Sequence, residues 1–373
     1  MRHGSKEVDA EIMNISFWTH SLRSDWNHGN AHFLRGLAVE LQTRGHTVQL
    51  LEPRTSWSAQ NLVADAGEEA LDAYKAAYPS LEPVLYDPEN PDVAALLDGA
   101  DLVLMHEWNP PFLVAQVGEW KKRGAKAKLL FHDTHHRAAS APHEMAQFDL
   151  RGYDGALCFG EIISQIYREQ GWAKRAWTWH EAADPRVFLP HKGVHKEFDL
   201  VWIGNWGDGE RSAELREFLV QPVKDLGLKA KIWGVRYPAE ALRALDEAGI
   251  EYGGYIPNFR APGAFASAKT TVHVPRRPYV EKLPGIPTIR PFEALACELP
   301  LISAPWHDSE GLFLEGDFRF VSNGREMTRA LDSLLGDETK RTAMAARGSE
   351  TVLSRHTVRN RVDELEQIVA SIS

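Results

Sequence analysis

Little in this chain points to a disulfide scaffold, a membrane span or a nucleic-acid binder. Only two cysteines occur in 373 residues, Cys158 and Cys297, far apart and each inside an apolar segment. They read as buried free thiols, and neither a disulfide framework nor a zinc site is expected from them. No apolar run approaches the ~20 residues that span a bilayer. No basic amphipathic stretch suggests attachment to a membrane surface. Met1 to Ile12 is polar and charged, without the apolar core of a secretion signal; it reads as a leader before the first strand, with the cytoplasm as expected location. Positive charge is scarce as well. A formal net charge of −10 argues against generic nucleic-acid binding, which rests on a basic surface. There is no internal repeat and no G-x-G-x-x-G fingerprint.

What is present is the balance of an ordinary globular protein, 43% hydrophobic and 25% charged, in a chain long enough for two cores. Twelve tryptophans and sixteen histidines are many for this length. Indole faces stack on sugar rings, which makes a carbohydrate enzyme compatible with the composition, although most tryptophans are expected in the core or at its rim.

Short β-type runs alternate with amphipathic helical stretches, the pattern of parallel sheets covered by helices on both faces. Asn14–Trp18, a helix over Asn30–Arg44 and Thr47–Leu51 form an opening βαβ unit, with Gly45 placed to end the helix in the left-handed conformation. Strands are expected at Leu102–Met105, Ala127–Phe131 and Gly155–Phe159, and helices over Glu68–Tyr78, Pro111–Arg123 and Glu161–Gln170. Periodicity breaks over Ala182–His195, which reads as the inter-domain connection. A second series follows: strands at Phe198–Ile203, Ala230–Trp233, Thr271–Val274, Leu299–Ser303 and Arg319–Val321, and helices over Glu210–Leu226, Gly324–Leu335, Glu338–Val352 and Thr357–Ile372.

Ligands of open parallel sheets bind beyond the carboxyl ends of the strands. Pro284–Glu293 is a Gly/Pro loop opening a helix, so that free N–H groups at a positive helix end suit a diphosphate. Gly285 and Thr288 belong to that loop. Arg290 supplies a bidentate phosphate contact, and Glu293 can accept hydrogen bonds from two adjacent hydroxyls, as on a ribose. Val201–Arg211 is a buried strand followed by a glycine-rich turn, with Gly204, Asn205 and Arg211 as donor-side candidates. Arg276 and Arg277 form a further basic pair. In the first half, His28 and Asn30 lie between the first strand and its helix, where Asn30 serves equally as an N-cap. His106–Glu107 and His132–Arg137 end adjacent strands. They read as acceptor contacts (Glu107 and His135) with a general base among Asp133, His106 and Glu107, and their spacing matches no metal motif. Glu181 reads either as a cleft residue or as one half of a hinge salt bridge.

Arg290–Pro305, RPFEALACELPLISAP, resembles the donor-site helix and following strand of retaining GT-B glycosyltransferases, and more closely the CgeB-type spore-maturation glycosyltransferases. Gly29–Leu51 and Ala182–Arg211 are similar to the first βαβ unit and the domain crossover of the same fold. The resemblance implies an α/β GT-B enzyme with two Rossmann-like doubly wound parallel-sheet domains facing a cleft. The acceptor-side domain is placed at 13–185, the donor domain at 196–355, and a terminal helix at 357–373 packing back on the first domain. It implies a retaining transferase that needs neither metal nor cofactor. Its donor is a nucleoside-diphosphate sugar with UDP foremost, and its acceptor is a protein, glycan or small molecule. Glu293 takes the ribose; Arg290, Arg211 and the loop N–H groups stabilise the leaving diphosphate. Two departures stand out: Glu298 replaces a common glycine, and the related E-x7-E motif has Gly285 in place of its first acid. A nucleotide-sugar 2-epimerase, or a sugar-nucleotide or glycan binder without turnover, shares the fold.

Overall fold

The computed structural model describes residues 12–372, so the Met1–Ile12 leader lies outside it except for Ile12. Two all-parallel sheets organise the chain. The first holds β1 (Asn14–Trp18), β2 (Thr47–Pro53), β3 (Val84–Tyr86), β4 (Leu102–His106), β5 (Lys128–Asp133), β6 (Gly155–Cys158) and β7 (Ala176–Thr178), in the order β3-β2-β1-β4-β5-β6-β7. The second holds β8 (Phe198–Ile203), β9 (Ala230–Trp233), β10 (Ile250–Tyr252), β11 (Ala268–His273), β12 (Leu301–Ser303) and β13 (Arg319–Phe320), in the order β10-β9-β8-β11-β12-β13. The central strands are largely buried on both faces by the helices; all five residues of β4 are buried. In each sheet the winding reverses once, between β1 and β4 and between β8 and β11. Loops at such a reversal diverge and leave a crevice at the strand ends.

The helix Ala31–Thr43 ends before Gly45, whose φ of +92° is the left-handed exit expected of it. The expected helix over Glu210–Leu226 is interrupted: Arg216–Val220 forms a π-turn ahead of Pro222. A proline carries no N–H for the α-helical ladder, and widening the turn moves the register past it. The three-residue strands β3, β7 and β10 and the helices Trp57–Ala66 and Ala239–Glu247 were not expected from the sequence. Three residues are too few to establish a period of two.

The two halves interlock. Tyr279, Leu283 and Ile286, from the second half, lie in the same buried cluster as Phe131, Phe159 and Ile163 of the first. The helix Val358–Ala370 returns to the first sheet, where Val358, Val362 and Leu365 share a cluster with Leu34, Leu37 and Leu41. Thr357 and Asn360 close a capping box at its start. Cys158 and Cys297 are buried and unpaired. Among the described residues no helix is long and apolar enough to cross a membrane.

Candidate active site

The crevices of the two sheets open into one cleft of about 840 Å³. The second-domain wall is built around Arg211. Its Nη1 donates to the Val274 carbonyl at 3.0 Å, and its Nη2 to the Asn205 carbonyl and Oδ1 at 2.8 and 3.0 Å. The guanidinium lies 5.0 Å from the centre of the Trp202 ring. Among the described residues no carboxylate pairs with Arg211 and its Nε has no partner. Burial first, and the neighbouring Arg276 charge second, press its pKa down to about 9. Such a group favours an incoming anion, because the anion restores the charge partner that the protein withholds.

The glycines of the turn make room for this arginine. A Cβ on Gly204 would stand 2.8 Å from the Trp202 ring and 3.1 Å from Arg211 Nη2; one on Gly207 would stand 2.5 Å from Arg211 Cγ. Gly207 also has φ +94°, a conformation that costs a residue with a side chain roughly 1–3 kcal/mol. Gly207→Ala is therefore expected to weaken nucleoside-diphosphate binding at least tenfold and to lower the melting temperature, although it removes no polar group. Titration calorimetry against wild type checks this, and equal affinities would show that Arg211 is not held by the turn.

Arg276 stands beside Arg211, donating to Glu210 at 2.9 Å and to Asn205 Oδ1 at 3.0 Å. Arg277 turns away to Glu214, which separates the two members of the basic pair. Thr288 occupies the N-cap position of the helix Ile289–Ala296, yet its side chain makes no cap bond; its hydroxyl lies 3.2 Å from His273 Nε2. Thr288, Ile289 and Arg290 all line the cleft, so the open end of the helix faces it.

Several expected residues are placed elsewhere. Glu293 is fully buried, lies outside the cleft lining, and is engaged by Arg290 and by His32, whose Nδ1 is 2.7 Å from its Oε1. Its position supports Arg290 rather than reaching a ribose directly. Gly285 is also outside the cleft: it has φ +92°, its N–H donates to the His307 carbonyl, and a Cβ would press on Glu310. Asp133 does not reach the cleft. Its carboxyl accepts from the Tyr167 hydroxyl at 2.8 Å and the His135 N–H at 3.0 Å, and burial followed by the Glu107 charge raises its pKa to about 8. Glu107 is buried against Arg137 (2.6 Å) and Thr134 (3.1 Å to its N–H). His106 is buried too; Trp108 N–H donates to its Nδ1, so Nε2 carries the proton toward Thr134 Oγ1 at 3.2 Å. These three groups form one buried cluster behind the cleft and do not line it. They buttress the loop that carries His135 into the cleft.

His28, Asn30, His135 and Glu181 line the first-domain wall. Asn30 makes no cap bond, and its Nδ2 reaches the Thr134 carbonyl at 3.5 Å. His28 Nε2 and Glu181 Oε1 are buried without partners. Burial, reinforced by Glu293 and then Glu107, lifts the Glu181 pKa well above the usual carboxyl range. Among the described residues no salt bridge occupies it. Across the mouth, Asn205 Nδ2 donates to Asn27 Oδ1 at 2.6 Å, and Asp25, paired with Arg35 at 2.7 Å, accepts from the Tyr255 hydroxyl and the Asn258 N–H. Asn27, Asp25, Trp57 and Trp108 escaped the sequence reading. Only their position just after β1, β2 and β4 could have marked them. No three His, Cys, Asp or Glu among the described residues converge as metal ligands.

Residues 211–367 match a family model described as glycosyl transferase-like, a span that starts at the central arginine of the cleft. No curated protein matches the chain in sequence. Solved structures match it over nearly its whole length. TarM superposes with a TM-score of 0.72 at 8% identity, covering 98% of this chain and 100% of its own. HepE of Anabaena, in complex with UDP-glucose, gives 0.68 at 14% identity over 96% and 100%. An alpha-glucosyltransferase in complex with UDP gives 0.69 at 10% identity over 96% and 100%. At such identities the likeness shows the fold, and the fold is GT-B.

Proposed function

We propose that this cleft transfers a sugar from a nucleoside-diphosphate sugar, UDP being the first base to test, to a hydroxyl acceptor. The observation that carries the reading is Arg211, a cleft arginine without a carboxylate partner, beside Arg276, Arg290 and an open helix end. The acceptor oxygen bonds to the anomeric carbon, the bond from that carbon to the diphosphate oxygen breaks, and the hydroxyl proton passes to the departing diphosphate. Charge developing on that diphosphate falls where the three arginines and the helix N–H groups are already oriented, an arrangement worth several kcal/mol in the transition state. The positive charge that a divalent cation or cofactor would bring is thus supplied by side chains, which supports transfer without either. Retention of configuration fits the wall opposite. Asp133 and His106 are withdrawn from the cleft, and burial raises the Glu181 pKa well above the usual carboxyl range, which disfavours it as a carboxylate base. The RPFEALACELP segment keeps CgeB-type enzymes as the family to compare first, and the cytoplasm as the proposed compartment.

The test is thermal: the purified chain is melted with UDP, GDP, TDP, ADP and their common sugars. A ligand at 100 times its dissociation constant stabilises the fold by about 2.7 kcal/mol. One nucleoside diphosphate is expected to raise the melting temperature clearly. A flat response to all of them would remove the reading.

A further inference from the structure

The two walls of the cleft differ in charge. All four arginines that line it, Arg211, Arg236, Arg276 and Arg290, come from the second domain, and the described first-domain wall has neither arginine nor lysine. Of its two carboxyl groups, Asp25 is consumed by Arg35, Tyr255 and Asn258, and Glu181 is buried. What this wall does expose is aromatic surface. Trp57 is 53% exposed and Trp108 41%, in a protein whose other large rings are mostly buried. Each is braced: Trp57 meets the edge of Trp26 at 5.2 Å, and the Arg137 guanidinium lies 4.2 Å from the Trp108 ring centre, its charge spent on Glu107. The same wall carries His20 and His28, whose rings pack at 4.1 Å, with His20 6.2 Å from the Trp108 ring and with His20 Nδ1 and His28 Nε2 buried and unpartnered.

Exposed indole faces lose apolar hydration only when a flat apolar face covers them. Unpaired imidazole nitrogens require hydrogen-bonding groups that bring no charge. A sugar ring offers both, C–H groups on its face and hydroxyls on its rim. A phosphorylated, sulfated or carboxylated acceptor would find no cation here. We propose that this wall is the acceptor subsite and that it takes an uncharged saccharide stacked on Trp57 and Trp108. The inference rests on the donor reading above, because it assigns the wall opposite the diphosphate site.

The experiment uses the full chain with the nucleotide sugar giving the largest thermal shift, and reads UDP release. The probes are labelled neutral oligosaccharides, their phosphorylated and sulfated counterparts, and a serine-rich peptide. Neutral saccharides are expected to accept. Trp57→Ala and Trp108→Ala should each raise the acceptor KM about tenfold or more, while Trp57→Phe and Trp108→Phe stay within about threefold of wild type. The UDP thermal response should persist in all four variants, which shows that fold and donor site survive. Preference for a charged saccharide or the peptide, or an unchanged acceptor KM in the alanine variants, overturns the proposal. A wild-type chain that ignores every nucleotide overturns the donor reading instead.

Discussion

Arg211→Met is expected to weaken nucleoside-diphosphate binding on the order of 100-fold and yet to melt no lower than wild type without ligand. The two halves of this expectation share one cause. Arg211 sits under Gly204 and Gly207 with three hydrogen bonds to protein oxygens and no counter-charge, and its pKa is pressed down to about 9. Its charge therefore costs stability in the empty protein, and relief of that cost by an apolar chain of similar length offsets the oxygens of Val274 and Asn205 left without a donor. Bound diphosphate reverses the balance. Charge-assisted hydrogen bonds to a partly desolvated arginine are worth about 1.5–3 kcal/mol, and the loss of one corresponds to roughly 10- to 150-fold in affinity. Arg276 and Arg290 remain, but both are partly neutralised, Arg276 by Glu210 and Arg290 by Glu293. Calorimetric titration with the active nucleotide and melting of the empty protein together decide the matter. A variant that binds normally, or one that loses binding only because it melts many degrees lower, would place the anion elsewhere.

The fold was legible wherever a strand was buried on both faces and long. Phe198–Ile203 matches its expected bounds, and β4 and β6 differ by a residue at most, because four or more apolar residues in a row, or nearly so, leave few alternatives. Edge strands such as β10 carry one buried residue in three and no such signature. The second-domain wall was legible for a related reason: loops at a winding reversal open a crevice, so Asn205, Arg211 and Arg276 could be expected to line the cleft from the chain alone. Burial of the carboxylates could not. His106–Glu107 and Asp133 end neighbouring strands, which suggests a cleft, but Arg137 and Tyr167 reach them from positions with no periodic relation to either. Glu293 was misplaced by the same kind of long-range partner, His32, contributed across the domain boundary. Trp57 lies beyond β2, outside the reversal, where strand order and not residue type decides whether a side chain meets the cleft.

The histidines that crowd this fold lead to the second large effect, an acid limit. His28, His106, His132, His136, His273 and His356 are each at most 6% exposed, and burial holds every one below its ordinary pKa, to about 3 for His132, His273 and His356 and about 4 for His136. The unfolded chain protonates them near pH 6.5 and the folded chain does not, so their contribution is complete above that pH and is lost as pH falls below it. A fully shifted imidazole costs up to about 1.4 kcal/mol per pH unit in that window, and several act together. Asp133, Glu107 and Glu181 act with the opposite sign, since raised carboxyl pKa values make the folded state the better proton binder between their unfolded and folded values. They offset part of the loss, and the net remains on the order of a few kcal/mol per unit against a total stability of about 5–15 kcal/mol. The melting temperature is expected to fall by about 5 °C between pH 7 and pH 5.5, with cooperative unfolding on further acidification. His132→Leu isolates one contributor. His132 Nε2 has no partner and its ring packs against Phe33 and Trp179, so the substitution removes a proton acceptor without stranding a hydrogen bond. It should shift the acid midpoint to lower pH while leaving stability at pH 7.5 nearly unchanged. Circular dichroism melts across pH 8 to 5 check both statements, and a wild-type curve that stays level through pH 5.5 would mean that the buried imidazoles accept protons in the folded state.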